Sequence, residues 1–233
     1  MGMFEPRNSR DEPDFVESDI TTRALSATAV ENDFVANVYE HLASVYDLTY
    51  GPTLHPGRVK AIQRLGIQPG EHVLEVGVGT GINACLYPPE AVVTGVDFSA
   101  SMLERARDRI ARKGIGHVRL LEMDAADLKF DDNTFDVVYA AYLINCVPDA
   151  LAVAREMKRV CRPGGRVVFL NHFRSSHPLL AWIDKILSPL TVHIGFKTDL
   201  DLPAFLAQAE LKPVSIEQVS VPPIWSLVTC LKD

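Results

Sequence analysis

An acid, a run of spaced glycines and a second acid make the strongest chemical signal in the chain. They read Glu75-Val76-Gly77-Val78-Gly79-Thr80-Gly81, and then Gly95-Val96-Asp97-Phe98-Ser99. Glycines let a backbone turn sharply and let a ligand approach the main chain. An acidic side chain after the second of two strands can accept from both hydroxyls of a ribose, which leaves no room for a 2′-phosphate. A dinucleotide fingerprint needs a glycine at position 82, where this chain has Ile82. A carboxylate at Glu75 would repel a pyrophosphate and suits a ligand carrying an ammonium group. Residues that could act on a second reactant lie further out. Tyr39 and Tyr46 stand two helical turns apart, and Asn145, His172 and Arg174 follow later strands. Aromatic faces suit cations, and an Arg fork suits a phosphate.

These residues must be positioned by regular elements. His72–Val76, Val92–Val96, Val118–Leu121, Phe135–Ala140 and Arg166–Leu170 read as strands. Helical patterns lie between them. Ser101-x-x-Glu104 reads as a capping box for a helix with Leu103, Ala106 and Ile110 inward, ending at Gly114. Asp149 can cap a helix burying Val153, Met157 and Val160, which Pro163-Gly164-Gly165 stops. Strand and helix alternating at these lengths predict an α/β fold with parallel strands and right-handed crossovers. Val214–Val219 and Ile224–Leu231, close together around Pro222-Pro223, predict an antiparallel pair at the sheet edge.

The outer segments differ from this core. Residues 1–19 are acidic and read as a tail. From Ile20 to about Tyr46 the stripe Val30, Phe34, Val38, Leu42 and Val45 predicts one helix or two, ended by Gly51-Pro52. His177–Lys197 breaks the rhythm as an insertion rich in Leu and Ile, with Trp182, Lys185 and Lys197. It can form a core helix pair, or lie in a membrane interface while its cations meet phosphates.

With 233 residues, 47% apolar and 23% charged, the chain is long enough for one large domain and is not disordered throughout. No charge-free run exceeds 14 residues, and the run Gln218–Leu231 holds two prolines, which argues against a membrane span. Net charge is −7, and residues 1–50 carry the whole imbalance. No basic patch for a nucleic acid is present. Cys85, Cys146, Cys161 and Cys230 show no metal spacing, the start has no signal layout, and reduced thiols in a cytoplasm are the simplest reading.

The motifs E-x-G-x-G-x-G, G-V-D-F-S with Met102, M-D-A at 123–125, Phe135-Asp136-Val137-Val138 and R-P-G-G at 162–165 resemble, in order, the class I S-adenosylmethionine-dependent methyltransferases. The resemblance implies a Rossmann-like seven-stranded sheet of order 3-2-1-4-5-7-6 with strand 7 antiparallel. The domain would span 51–233, behind an N-terminal helical extension at 1–50 that serves as lid or membrane contact. It also implies roles for individual residues. Glu75 orders the glycine loop and the methionine ammonium, and Gly77 and Gly79 approach the cofactor. Asp97 holds the ribose, with Ser99 beside it. Phe98 and Met102 sandwich the adenine, although Met102 also suits a core. Asp124 and Ala125 reach the adenine edge, although Asp124 also suits a helix cap. Ala141 and Tyr142 lie beside the methionyl part. No metal is implied.

The runs H-L-A-S-V-Y-D-x-x-Y-G at 41–51, Y-L-I-N-C-V-P at 142–148 and N-H-F-x-S at 171–175 are similar to the soluble bacterial phosphatidylethanolamine N-methyltransferases. That resemblance implies a phospholipid substrate, methylated up to phosphatidylcholine by an enzyme peripheral to the inner face of the cell membrane, with S-adenosylhomocysteine as product. Tyr46, His172 and Asn145 would orient the amine, Tyr46 also contacting the cofactor. Tyr39 and Tyr142 would face the substrate, and Arg174 with Lys197 would hold its phosphate. Methyltransferases of quinones or other small molecules share the core and remain open. An NAD-dependent oxidoreductase or a silent nucleotide-binding module fits poorly beside Ile82 and the later motifs. The oligomeric state is not legible.

Overall fold

A computed structural model of the chain describes residues 51–173, 200–220 and 224–233. The N-terminal segment with Tyr39 and Tyr46, the 177–197 segment with Lys197, and Arg174 lie outside the described residues.

The strands are β1 (His72–Val76), β2 (Val92–Asp97), β3 (Val118–Glu122), β4 (Phe135–Ala141), β5 (Cys161–Asn171), β6 (Lys212–Gln218) and β7 (Ser226–Leu231). They form one sheet in the order β3-β2-β1-β4-β5-β7-β6. β1 to β5 run parallel, and β7 is antiparallel to both of its neighbours. The expected sheet order and the reversed seventh strand are both present. The helices are α1 (Gly51–Arg64), α2 (Ala100–Lys113), α3 (Ala150–Val160) and α4 (Leu202–Gln208), with a short 3₁₀ turn at Asn83–Cys85.

The central strands read as unbroken apolar runs because both faces are covered. Every residue of β4 is buried. On one face Leu74, Val138, Phe169 and Val228 pack with Met157 of α3 and Phe205 of α4. On the other, Val73, Val137, Val168 and Leu227 pack with Leu54, Ala61 and Ile62 of α1. α2 buries Leu103, Ala106 and Ile110 and closes on Gly114 at φ +64°.

Three local expectations need correction. Gly51 and Pro52, read as a helix stop, are themselves helical, inside α1 (Gly51–Arg64), while the helix they were to end lies outside the described residues. The cap of α2 is Ser99 rather than Ser101. The Ser99 hydroxyl accepts from the Met102 N–H at 3.3 Å, while Ser101 is already helical and meets Ser99 Oγ at 3.0 Å. The R-P-G-G run does not separate α3 from β5. It bulges within β5, where pairing jumps from Phe135↔Cys161 to Val137↔Arg166. Asp149 caps α3 as expected, accepting from the Ala152 N–H at 2.9 Å.

Candidate functional site

The carboxyl ends of β1, β2 and β4 surround a cavity of about 290 Å³. Ligands gather at this edge of parallel sheets because the helices' free N–H groups and the connecting loops converge there. The glycine loop forms its floor. Gly77, Gly79 and Gly81 have φ of +73°, +55° and +73°, the left-handed region that glycine enters without penalty. The turn is tied to β2: the Gly77 and Val78 N–H groups donate to the Val96 carbonyl at 2.8 and 2.9 Å.

Asp97 completes that tie. Its Oδ2 accepts from the Gly79 N–H at 2.8 Å and its Oδ1 from the Ser99 N–H at 3.0 Å. Burial pushes its carboxyl above the ordinary value, and the backbone donors pull the other way. Phe98, Ser99 and Met102 continue the wall past Asp97. Met102 is also buried, so wall and core are one role for it. Asp124 and Ala125 line the next side. Asp124 Oδ1 accepts from the Ala126 N–H at 2.8 Å and caps a turn rather than a helix. Ala141 and Tyr142 line the β4 side. Tyr142 holds φ +59°, rare for an aromatic residue and a conformation that clusters at functional sites.

Three of the expected residues do not line the cavity. Glu75 does not reach the cavity wall. It is buried behind the loop, where Oε1 accepts from Asn83 Nδ2 at 2.6 Å and Oε2 from the Tyr87 hydroxyl at 2.9 Å. Burial pushes its carboxyl up to about 7 against the pull of those two bonds. From there it orders the structure beneath the glycine turn. Asn145 and His172 are brought together but also stand off the wall. Asn145 Nδ2 donates to the His172 carbonyl at 2.8 Å, and His172 Nδ1 lies 3.0 Å from the Ile224 carbonyl. Their contact is a brace between two loops.

Arg58 and Trp225 escaped the reading of the sequence. Arg58 comes from α1, is 7% exposed and lines the cavity. Its guanidinium carbon sits 4.8 Å from the centre of the Tyr142 ring, so that face of Tyr142 already carries a cation. Trp225 packs edge-on to Tyr142 with centroids 4.8 Å apart and to His172 at 6.2 Å. The signal for Arg58 was an arginine on the apolar stripe Leu54, Ala61, Ile62, Leu65. No such signal marks Trp225.

The geometry can hold a purine nucleoside: an apolar wall at Phe98 and Met102, a carboxylate at ribose height, and polar atoms at Asp124. Among the described residues, no group of three or more His, Cys, Asp or Glu could hold a metal ion. Comparisons with known proteins agree with that chemistry. A family model described as "Methyltransferase domain" matches residues 74–169. The phosphatidylethanolamine N-methyltransferase of Cereibacter sphaeroides is 38% identical over 195 residues, covering 83% of this chain and 94% of that protein. A ubiquinone/menaquinone biosynthesis C-methyltransferase of Cupriavidus taiwanensis is 32% identical over 195 residues, 80% of each. Among solved structures, a Haloferax volcanii methyltransferase in complex with the Trm112 activator superposes with a TM-score of 0.70 at 17% identity, over 85% of this chain and 97% of that one.

Proposed function

The chain belongs to the class I S-adenosylmethionine-dependent methyltransferases, and from that premise we propose that it methylates the amine of phosphatidylethanolamine, up to phosphatidylcholine. The observation that carries this reading is the 38% identity to a phosphatidylethanolamine N-methyltransferase across 94% of that protein's length. A quinone as acceptor is the second reading, favoured by the relatives named for quinone biosynthesis.

When bound, S-adenosylmethionine supplies an electrophilic methyl on a sulfonium. Transfer forms the N–C bond, breaks the S–C bond with its electron pair left on sulfur, and yields S-adenosylhomocysteine. The protein's part is alignment and desolvation. Asp97 would accept from the ribose hydroxyls while keeping the glycine turn in place. Phe98 and Met102 would clasp the adenine, with Asp124 and Ala125 at its polar edge and Ser99 beside the ribose. Gly77 and Gly79 leave room for the methionyl part, bordered by Ala141 and Tyr142. The substrate's ammonium must lose a proton before nitrogen can attack. Tyr46 would orient the amine, with Asn145 and His172 acting through the loop they brace. Tyr39 would face the headgroup, and Arg174 and Lys197 would meet the phosphate.

No helix among the described residues is long and apolar enough to cross a membrane. We propose peripheral attachment to an anionic bilayer, at the inner face of the cell membrane. The deciding experiment offers labelled S-adenosylmethionine with phosphatidylethanolamine vesicles or with a demethylated quinone. Label in mono-, di- or trimethylated lipid supports the proposal; label in the quinone alone overturns it.

A further inference from the structure

We infer that Arg58 receives the carboxylate of the cofactor's amino-acid end, and that Glu75 governs this contact through Asn83 without touching the cofactor. The inference rests on the cofactor assignment above, not on the acceptor.

The cavity's charged groups make the case. Among the described residues lining it are three carboxylates, Asp97, Asp124 and Asp149, and one cation, Arg58. A ligand bearing a carboxylate would be repelled by the acids and has one positive group to turn to. A guanidinium carries five N–H donors, and leaving them unmatched in a buried place is costly. Glu75 offsets the charge of Arg58 from a distance, yet no carboxylate among the described residues bonds it. Its only acceptor among the described residues is neutral, Asn83 Oδ1 at 3.2 Å from Nη1. Its Nε is buried and meets no acceptor.

The orientation of Asn83 explains how Arg58 is held. Glu75 Oε1 accepts from the amide nitrogen of Asn83 at 2.6 Å. That bond turns Asn83 Oδ1 toward Arg58. The Tyr87 hydroxyl donates to the other Glu75 oxygen at 2.9 Å. Tyr142 then supports the guanidinium from its ring face at 4.8 Å. Arg58 is thus fixed by one bond and one stacking contact, and its remaining donors are left for a ligand. Glu75 and Asn83 are positioning residues in this arrangement.

The test compares two ligands by calorimetry: S-adenosylhomocysteine, and its decarboxylated analogue S-adenosyl-3-thiopropylamine, which lacks only the carboxylate. The wild type should prefer the first, and Arg58→Gln should lose about 10- to 100-fold in affinity for it while holding the amine nearly unchanged. Arg58→Lys keeps the charge without the fork and should retain part of the preference. Glu75→Gln can donate to Asn83 Oδ1, which turns the amide and sets N–H against guanidinium, so the preference should shrink several-fold. A wild type that binds both ligands equally overturns the inference without any variant. So does an Arg58→Gln protein that weakens both ligands alike, which would mark a structural role. An unchanged preference in a folded Glu75→Gln protein overturns the part given to Glu75. A wild type that binds neither ligand overturns the cofactor assignment instead.

Discussion

At the β1–β2 end of the crevice, Asp97 settles two backbone donors with its two oxygens, one on Gly79 and one on Ser99. At the β4–β5 end, Asn171 is wholly buried and neither amide atom meets a partner among the described residues. Asn145 lies nearby in sequence to the end of β4, with its oxygen in the same condition. The carboxylate at the first end is satisfied by the backbone before any ligand arrives. The second keeps buried polar atoms unmatched among the described residues, at a cost in free energy. If the acceptor enters at the β4–β5 end, as the proposed function has it, the contrast separates a preformed cofactor cradle from a side left for the acceptor.

The largest expected effect breaks the preformed end. Asp97→Ala removes both loop bonds and the ribose acceptor together, and hydrogen bonds to a charged group contribute about 1.5–3 kcal/mol each. Affinity for S-adenosylhomocysteine should fall by roughly 100-fold or more. Titration calorimetry reads this directly, and near-normal binding would mean that the loop is not held by Asp97.

Next in size is a pH dependence beneath the same end. The folded Glu75 carboxyl is raised to about 7 from 4.5. The folded state therefore holds that proton more tightly than the unfolded chain. The resulting stability is present in full below about 4.5 and is lost as pH rises through about 7, a total on the order of 3 kcal/mol. Glu75→Gln has no proton to lose. Its stability relative to the wild type should improve by that order between about pH 5 and about pH 8. Urea unfolding at both values measures the change, and parallel curves would place the Glu75 titration elsewhere.

Within the glycine turn the effects should divide. A Cβ on Gly81 would lie 3.0 Å from Ala106 Cβ and 3.2 Å from its Cα, against the body of α2, at a φ of +73°. A Cβ on Gly79 meets nothing within 4 Å. Gly81→Ala should cost roughly 2–3 kcal/mol, strain and overlap together. Gly79→Ala should cost roughly 1 kcal/mol, from its backbone conformation alone. Equal losses in denaturant titrations would show that the two glycines are not distinguished by packing.

The same contrast governs what the sequence makes legible. Asp97, Gly79 and Ser99 work within short stretches, so spacing alone identifies them and predicts the strand before each. The sheet order follows from alternating patterns and the resemblance they carry. Arg58 meets Asn83 across 25 residues and Tyr142 across many more, and nothing in the local pattern of α1 announces either contact. Asn145 and His172 have the right types at the right strand ends, yet their side chains brace loops instead of lining the cavity. Residue type and strand position show which end of the sheet is chemical. Which way a side chain turns depends on tertiary partners that periodicity does not encode. Glu75 illustrates the point: its position in the motif was plain, but its direction was set by Asn83 and Tyr87.

The smallest expected effect addresses the unmatched end. Asn171 is the last residue of β5, paired to Ser226 of β7, with its side chain fully buried. Burying an amide without partners costs about 1–3 kcal/mol, and an apolar side chain of similar volume escapes that cost. Asn171→Leu should therefore raise stability by about 1 kcal/mol, since some of the gain is offset by an imperfect fit. Methyl transfer to the acceptor should fall, while S-adenosylhomocysteine binds as before, because Asn171 does not line the cofactor cavity. A gain in stability with a loss of turnover would show polar atoms kept at the acceptor end at the expense of the fold. A loss of stability would mean that the amide is already satisfied in the folded chain, and the two ends of the crevice would then be built alike.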